Sequence, residues 1–199
     1  MNNGKKAGGT QRMAGLAIFT AIIVVLQVLC TFVRFGPFSI TLALAPIIIG
    51  TAIYGKGAGA YLGGVFGLVV LITGLLGWDG GTVMLLMSIN PAGCVLICLV
   101  KGAAAGFLAG LCYETIAKKS DKTAVLVSGI VCPVVNTGLF IVGMLVFFFD
   151  TLSGWAGGQN MLLYIIMVLT GINFLVELGV NVLLAAGIER IIRAGRKMH

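Results

Sequence analysis

Charged residues are scarce in this sequence of 199 residues. Asp, Glu, Lys and Arg together number only 19, whereas 59% of the chain is hydrophobic. A soluble domain of this size needs a polar shell, and so few polar residues cannot form one. The composition therefore excludes a soluble globular protein and indicates an integral membrane protein.

Residues that usually carry chemistry are also rare. The single histidine, His199, is the last residue, and no glycine-rich loop ends in Lys-Ser or Lys-Thr. The chain therefore lacks a P-loop for ATP hydrolysis, a buried histidine base and any Ser/His/Asp or Cys/His constellation. Cys94 and Cys98 lie one helical turn apart without a further ligand, so we predict no metal site. We expect no enzymatic activity and no cofactor.

The positions of the few charges predict the topology. Eleven of the thirteen Lys and Arg residues precede the first apolar run or follow the second, fourth and sixth. Basic residues concentrate in the cytoplasmic loops of membrane proteins, and a spanning helix needs about 20 apolar residues. We therefore predict an all-α integral membrane protein with six transmembrane helices and both termini in the cytoplasm. Residues 1–12 are expected to form a disordered cytoplasmic N-terminus, and residues 13–199 a single six-helix membrane domain.

The basic residues also bear on partners. The net charge of +7 is spread over four cytoplasmic segments without interleaved aromatic residues. We therefore interpret it as a determinant of topology and of contact with lipid headgroups, and we expect no nucleic-acid partner.

The apolar runs predict where the helices lie. Thr82 to Ile89 is too short to span and is expected to be a re-entrant or interfacial segment before Pro91. Pro46 is expected to kink or divide the second helix. The predicted helices cover about residues 14–33, 40–54, 58–76, 91–117, 123–149 and 161–192.

Small residues at intervals of four mark three helices. Gly59, Gly63 and Gly67 lie on the third helix, and Gly102, Gly106 and Gly110 lie on the fourth. Such faces allow helix backbones to approach closely in lipid, so we expect these two helices to pack together. Ala17 and Ala21 form a smaller version on the first helix, which either packs internally or contacts a partner subunit.

Polar side chains at membrane depth are candidates for a functional site, because they are costly in hydrocarbon. Four stand out: Lys101, Asn136, Asn173 and Glu177. In a structural role, Lys101 and Glu177 would neutralise each other and the asparagines would tie helices together. In a functional role, these side chains would line a cavity that is open to the outside. Their amides would suit the edge of a heterocycle, and Lys101 or Arg34 would suit a carboxylate.

Aromatic residues in the predicted outer loops extend the candidate site. Phe38, Trp78 and Trp155 could stack on a flat ring, although an interfacial aromatic belt is an equally good interpretation. Asn90, at the start of the fourth helix, completes the set. The predicted substrate-binding residues are Arg34, Phe38, Trp78, Asn90, Lys101, Asn136, Trp155, Asn173 and Glu177.

The order of several motifs resembles a known family. These motifs are the Ala-x-x-x-Ala face, the stretch 38–50 with its Pro46, the glycine-rich segment 54–64, residues 133–136 and residues 171–177. Together with six predicted spans, they resemble the substrate-binding S components of energy-coupling factor (ECF) vitamin transporters. The likeness is to the subgroup that includes flavin, folate and pantothenate carriers.

This resemblance implies a function. The chain would capture a scarce vitamin or related micronutrient outside a bacterial cell, at the outer ends of helices 4 to 6. It would then dock on a membrane coupling subunit powered by two cytoplasmic ATPases and topple to release its cargo. The resemblance places the docking contact at Ala17 and Ala21, and the protein in the bacterial cytoplasmic membrane.

Two matters stay open at this point. A planar heterocycle such as a flavin, a pterin or a modified nucleobase is the favoured substrate, and pantothenate is also compatible with Lys101 and Arg34. The alternatives to an S component are a self-sufficient secondary transporter or channel that uses Lys101 and Glu177 for ion coupling, and a membrane scaffold without a ligand.

Overall fold

A computed structural model of the chain describes residues 9–32, 34–35, 38–39, 42–171, 174–183 and 187, with the side chains of 34–35, 38–39 and 168–170 outside the description. The described part is helical apart from one pairing of two-residue strands. Four of its helices are long and apolar enough to cross a membrane. They are α1 (Gly9–Thr31), α3 (Lys56–Leu75), α5 (Pro91–Ile116) and α6 (Asp121–Phe147).

Shorter elements connect and follow these helices. The strands β1 (Arg34–Phe35) and β2 (Phe38–Ser39) pair in antiparallel fashion between α1 and α2 (Leu44–Tyr54). Helix α4 (Thr82–Ile89) precedes α5, and α7 (Phe149–Ala156) follows α6. Helix α8 (Met161–Tyr164) continues as a π-helical turn, Ile165–Thr170, and α9 covers Phe174–Leu183.

Several bounds differ from those we expected. Helix α1 begins at Gly9, so residues 9–12 are helical rather than part of a disordered N-terminus. Pro46 neither kinks nor divides α2, because the helix begins at Leu44 and Pro46 lies in its first turn. The N–H groups of a first turn have no partner within the helix, so proline loses nothing there. Helix α7 occupies most of the expected loop 150–160.

The glycine faces of α3 and α5 pack backbone against backbone, as the sequence predicts. A Cβ atom on Gly59 or Gly63 would overlap the carbonyl oxygen of Gly106 or Gly102, respectively, and one on Gly67 would overlap that of Cys98. Only glycine permits this separation, at which dispersion contacts between the two helices are dense. These contacts also show that α3 and α5 are antiparallel.

The bundle has two ends, which we name by one feature each. The α4 end carries Thr31, α4, the start of α5 and α7. The Lys56 end carries the start of α1, the turn between α2 and α3, and the turn between α5 and α6. Polar contacts tie this second end together: Lys56 donates its backbone N–H to Glu114 Oε1 (2.9 Å) and places its Nζ 3.7 Å from Oε2.

Two separate apolar clusters fill these two ends. The Lys56-end cluster contains Ile23, Leu44, Ile47, Leu62, Phe66, Ala105, Ala109, Tyr113, Val125 and Cys132 among its buried members. The α4-end cluster contains Leu71, Val83, Leu86, Cys94, Ile97, Met144, Phe148, Leu152 and Ile165. The boundary between the clusters lies near the middle of α5 and α6, close to Lys101 and Asn136.

The turn between α3 and α4 depends on one carboxylate. Asp79 accepts hydrogen bonds from the backbone N–H of Gly81 through Oδ1 (3.0 Å) and of Val83 through Oδ2 (2.8 Å). It thereby satisfies N–H groups at the start of α4.

We expect Asp79→Ala to lower the free energy of unfolding by about 1–2 kcal/mol, as the loss of a helix cap does. Thermal unfolding in detergent measures this, with Asp150→Ala, an exposed acid in the first turn of α7, as the control. Equal melting temperatures for the two variants would contradict the role of Asp79.

Candidate functional site

Lys101 lies in the middle of α5 between the two clusters. It follows the first residue of α5 by ten positions, or about 15 Å along the axis. Its Nζ lies 5.0 Å from the centre of the Phe140 ring on α6. The ion pair that the structure describes is Lys56–Glu114 at the surface. The Lys101–Glu177 pair that we considered from the sequence stays a prediction.

Asn136 lies one turn from Phe140 on the same side of α6. Its side chain is 6% exposed, and Oδ1 has no hydrogen-bond partner in the described structure. A buried amide oxygen without a partner carries a full desolvation penalty, so it is expected to meet a ligand donor or a water. Asn136 thus remains a candidate for substrate binding.

Gln27 on α1 is a buried polar residue that the sequence analysis did not select. Its side chain is 2% exposed, and Oε1 has no hydrogen-bond partner among the described residues. It shares a helix face with Ile23, a member of the Lys56-end cluster, and with Thr31. A glutamine within an apolar run was the available signal, because such residues are rare at membrane depth without a function.

Helix-to-helix contacts place these three residues along the bundle axis. The pairs Lys101–Phe140 and Ile97–Gly143 align α5 with α6 and place Asn136 about one turn nearer the Lys56 end than Lys101. The Thr20–Tyr61 hydrogen bond and the Gly67–Cys98 contact align α1 with α5 through α3. By this alignment Gln27 lies about one turn nearer the α4 end than Lys101 does. The three side chains therefore span about 10 Å of the axis.

Helix α9 carries a second polar pair. Glu177 and Asn181 are buried one turn apart, and the Nδ2 atom of Asn181 has no hydrogen-bond partner in the described structure. A Cβ on Gly129 of α6 would lie 3.6 Å from the Asn181 carbonyl oxygen, so the two helices are in contact here. This contact places Glu177 and Asn181 nearer the Lys56 end than Lys101. Asn173 lies outside the described residues.

The remaining predicted residues lie at the α4 end. Asn90 Oδ1 accepts a hydrogen bond from the N–H of Gly93 (2.9 Å), so this oxygen caps α5. Trp78 is 39% exposed, and its ring centre lies 5.6 Å from that of Phe32 at the end of α1. Trp155, on α7, packs partly buried against the α4-end cluster. Arg34 and Phe38 belong to the paired strands, and their side chains are not among those described.

A groove of about 130 Å³ lies between α5 and α6 toward the α4 end. Lys101 is its one charged lining residue, and the others include Leu96, Val100, Val142 and Val146, which are all exposed. Apolar walls of this kind suit a lipid chain and cannot select a polar ligand. This groove alone therefore does not account for recognition of a polar substrate.

Comparison with known proteins identifies the family. The sequence profile of the family described as "ECF transporter, substrate-specific component" matches residues 11–189, which is most of the chain. The chain belongs to this family. The resemblance that we drew from the sequence motifs is thus confirmed. Members of the family are multi-pass membrane subunits of transporters and not enzymes.

One curated relative is similar over a shorter segment. The pantothenic acid transporter PanT of Lactococcus lactis subsp. cremoris (strain MG1363) is 47% identical over 64 residues. The aligned segment covers 31% of this chain and 33% of the relative. The chain thus matches about one third of the length of PanT.

Proposed function

We propose that this chain is the high-affinity substrate-capture subunit of an ECF-type importer in the bacterial cytoplasmic membrane. It forms one membrane domain over residues 13–199, with six spans and both termini in the cytoplasm. The α4 end faces outward and the Lys56 end faces the cytoplasm. Eleven of the thirteen Lys and Arg residues lie in the segments that this orientation places in the cytoplasm, and they support it.

The exposed face of α1 is the observation that carries the docking part of this proposal. Only 17% of the most apolar 18-residue stretch of α1 is buried, whereas 50% of the corresponding stretch of α3 is buried. Ala17 and Ala21 lie on the exposed face, opposite the buried residues Ile23 and Gln27. A spanning helix that presents small residues outward can approach another helix closely. The coupling subunit, driven by two cytoplasmic ATPases, is the partner that this face fits.

Pantothenate is the first candidate for the substrate. PanT is a pantothenic acid transporter by name, and the similarity to it is high within the aligned segment. The half-buried ammonium group of Lys101, in the middle of α5, favours an anionic vitamin over an uncharged planar heterocycle. We therefore place pantothenate ahead of the flavin, pterin or nucleobase class that the outer aromatic residues suggested.

Binding and transport measurements with purified components test this function. The chain alone, in nanodiscs, is expected to bind one pantothenate with a Kd at or below about 1 μM. Proteoliposomes are expected to accumulate pantothenate only when they contain the coupling subunit and both ATPases. ATP must also be present on the side of the membrane that carries the ATPases. If the chain alone accumulates substrate on an ion gradient, it is a secondary transporter, and the proposal fails.

A further inference from the structure

We infer that Asn181 and the backbone carbonyl of Gly129 form a latch between α9 and α6, which is open in this structure and closes when the substrate binds. The closed latch is a hydrogen bond from Asn181 Nδ2 to the Gly129 carbonyl oxygen. The inference rests on the proposed function and adds a conformational step to it. It also adds one residue, Asn181, that lies outside the predicted set of substrate-binding residues.

Pro133 provides the acceptor of this latch. It lies inside α6 and has no backbone N–H, so the carbonyl group four residues earlier, that of Gly129, loses its helical donor. Gly129 is buried and belongs to the face of α6 that contacts α9. A buried carbonyl group that has lost its helical donor is stabilised by a donor from a neighbouring helix.

Asn181 provides the donor. Its side chain is 3% exposed, and Nδ2 has no hydrogen-bond partner among the described residues. A Cβ atom on Gly129 would lie 3.6 Å from the Asn181 carbonyl oxygen and 3.8 Å from the Asn181 Cβ. The two residues therefore lie in contact and at the same depth in the bundle.

The antiparallel packing of α6 and α9 brings donor and acceptor together. Gly129 lies against Asn181. Cys132, further along α6, interacts electrostatically with Glu177, one turn before Asn181. The carbonyl groups of a helix point toward its C-terminus, whereas its side chains lean toward its N-terminus. In antiparallel neighbours these directions coincide, so the Gly129 carbonyl and the Asn181 amide both point toward the α4 end from the same depth.

The chain before α9 allows this helix to move relative to α6. The π-helical turn Ile165–Thr170 ends at Gly171, whose φ of 6° and ψ of −130° are not helical. Residues of this kind at the end of an element are the usual hinges of conformational changes. A small shift of α9 about this point changes the distance between the Asn181 amide and α6.

The polar residues one turn from the latch explain why the substrate closes it. Glu177 leans toward the depth of Asn136, whose Oδ1 has no partner in the part of the chain that the structure describes. A carboxylate and an amide oxygen are both acceptors, so they do not hydrogen-bond each other. A substrate that donates to both draws α9 toward α6, and the Asn181 amide then reaches the Gly129 carbonyl.

A double-mutant cycle tests the latch. Asn181→Leu removes the donor, and Pro133→Ala restores a helical donor to the Gly129 carbonyl. Each variant is expected to weaken pantothenate binding about five- to tenfold, because one neutral hydrogen bond of the loaded protein is lost. The double variant is expected to bind like either single variant, since both changes remove the same bond. Isothermal titration in nanodiscs measures the four affinities.

Melting temperatures separate the latch from a general loss of stability. In the ligand-free protein Asn181→Leu should keep or raise the melting temperature, because it removes a buried donor without a described partner. A lower value would show that the bond exists without substrate and would overturn the latch. Ser128→Ala, next to Gly129, is the control. Ser128 donates to the Ala109 carbonyl oxygen (2.9 Å), so this variant should lose stability and keep wild-type affinity.

The outcomes separate this inference from the proposed function. Additive losses of affinity in the double variant, or wild-type affinity in either single variant, overturn the latch while pantothenate remains the substrate. If wild type does not bind pantothenate, the proposed substrate fails, and the same cycle is run with riboflavin. Non-additive losses of riboflavin affinity then retain the latch. Any other result, including no binding of riboflavin, overturns it.

Discussion

Uptake by the full transporter is expected to fall to near background when Ala17 and Ala21 are both replaced by leucine. The two alanines lie on the exposed face of α1, where leucine fits without contact to the rest of the bundle. Leucine is as apolar as the surrounding lipid, so membrane insertion and ligand binding should be preserved. Two larger side chains would instead hold the coupling subunit away from the α1 backbone and remove its close packing.

Parallel measurements distinguish failed docking from a damaged subunit. We expect the double variant to keep its pantothenate affinity within about twofold while ATP-driven uptake falls at least about tenfold. Val134→Phe enlarges an exposed apolar residue on α6 in the same way and is expected to transport like wild type. If the alanine variant transports normally and co-purifies with the coupling subunit, the docking face lies elsewhere.

The largest loss of stability is expected at the contact between α3 and α5. In Gly63→Ala the new methyl group would overlap the Gly102 carbonyl oxygen and lie 2.6 Å from the carbonyl carbon. A backbone group cannot rotate away, so the two helices must separate along their whole contact. Overpacking of this kind costs about 2–3 kcal/mol, which should be visible as a lower melting temperature in detergent.

Gly64→Ala provides a matched control one residue away. A Cβ at Gly64 meets no atom within 4 Å, so the substitution introduces no clash. Alanine also has a higher helix propensity than glycine, by about 1 kcal/mol in a soluble helix. We therefore expect Gly64→Ala to be neutral or slightly stabilising. A similar loss of stability in both variants would show that helix–helix overlap is not the cause.

Features with a local signal were predicted well from the sequence. The glycine repeats of α3 and α5 predicted that the backbones of these two helices pack closely, and the structure confirms this packing. The charges and apolar runs predicted a helical membrane protein, and four candidate spans are found in the described part of the chain. Pro91 marked the start of α5, whereas the cap that Asn90 forms was not predicted, since we selected Asn90 for substrate binding.

Features that depend on tertiary context were not predicted. Whether Pro46 breaks a helix depends on where the helix begins, and the position of Leu44 follows from packing rather than from local composition. Gln27 was overlooked although its position in an apolar run was a signal, and the fold shows that its face of α1 is buried. Likewise, the sequence could not decide whether Lys101 and Glu177 pair, because their depths depend on how α5, α6 and α9 align.

Helix α1 has a consequence for the order of events in transport. It is a continuous helix of 23 residues that presents Gln27 to the interior and Ala17 and Ala21 to the outside. In the proposed transporter, a ligand that contacts α1 would therefore stabilise the same helix that the coupling subunit contacts. Because linked equilibria are reciprocal, any preference of the coupling subunit for the loaded protein must appear as an equal change in vitamin affinity upon docking. In the proposed transporter, α1 would thus link occupancy of the vitamin site to docking of the coupling subunit without a separate moving element.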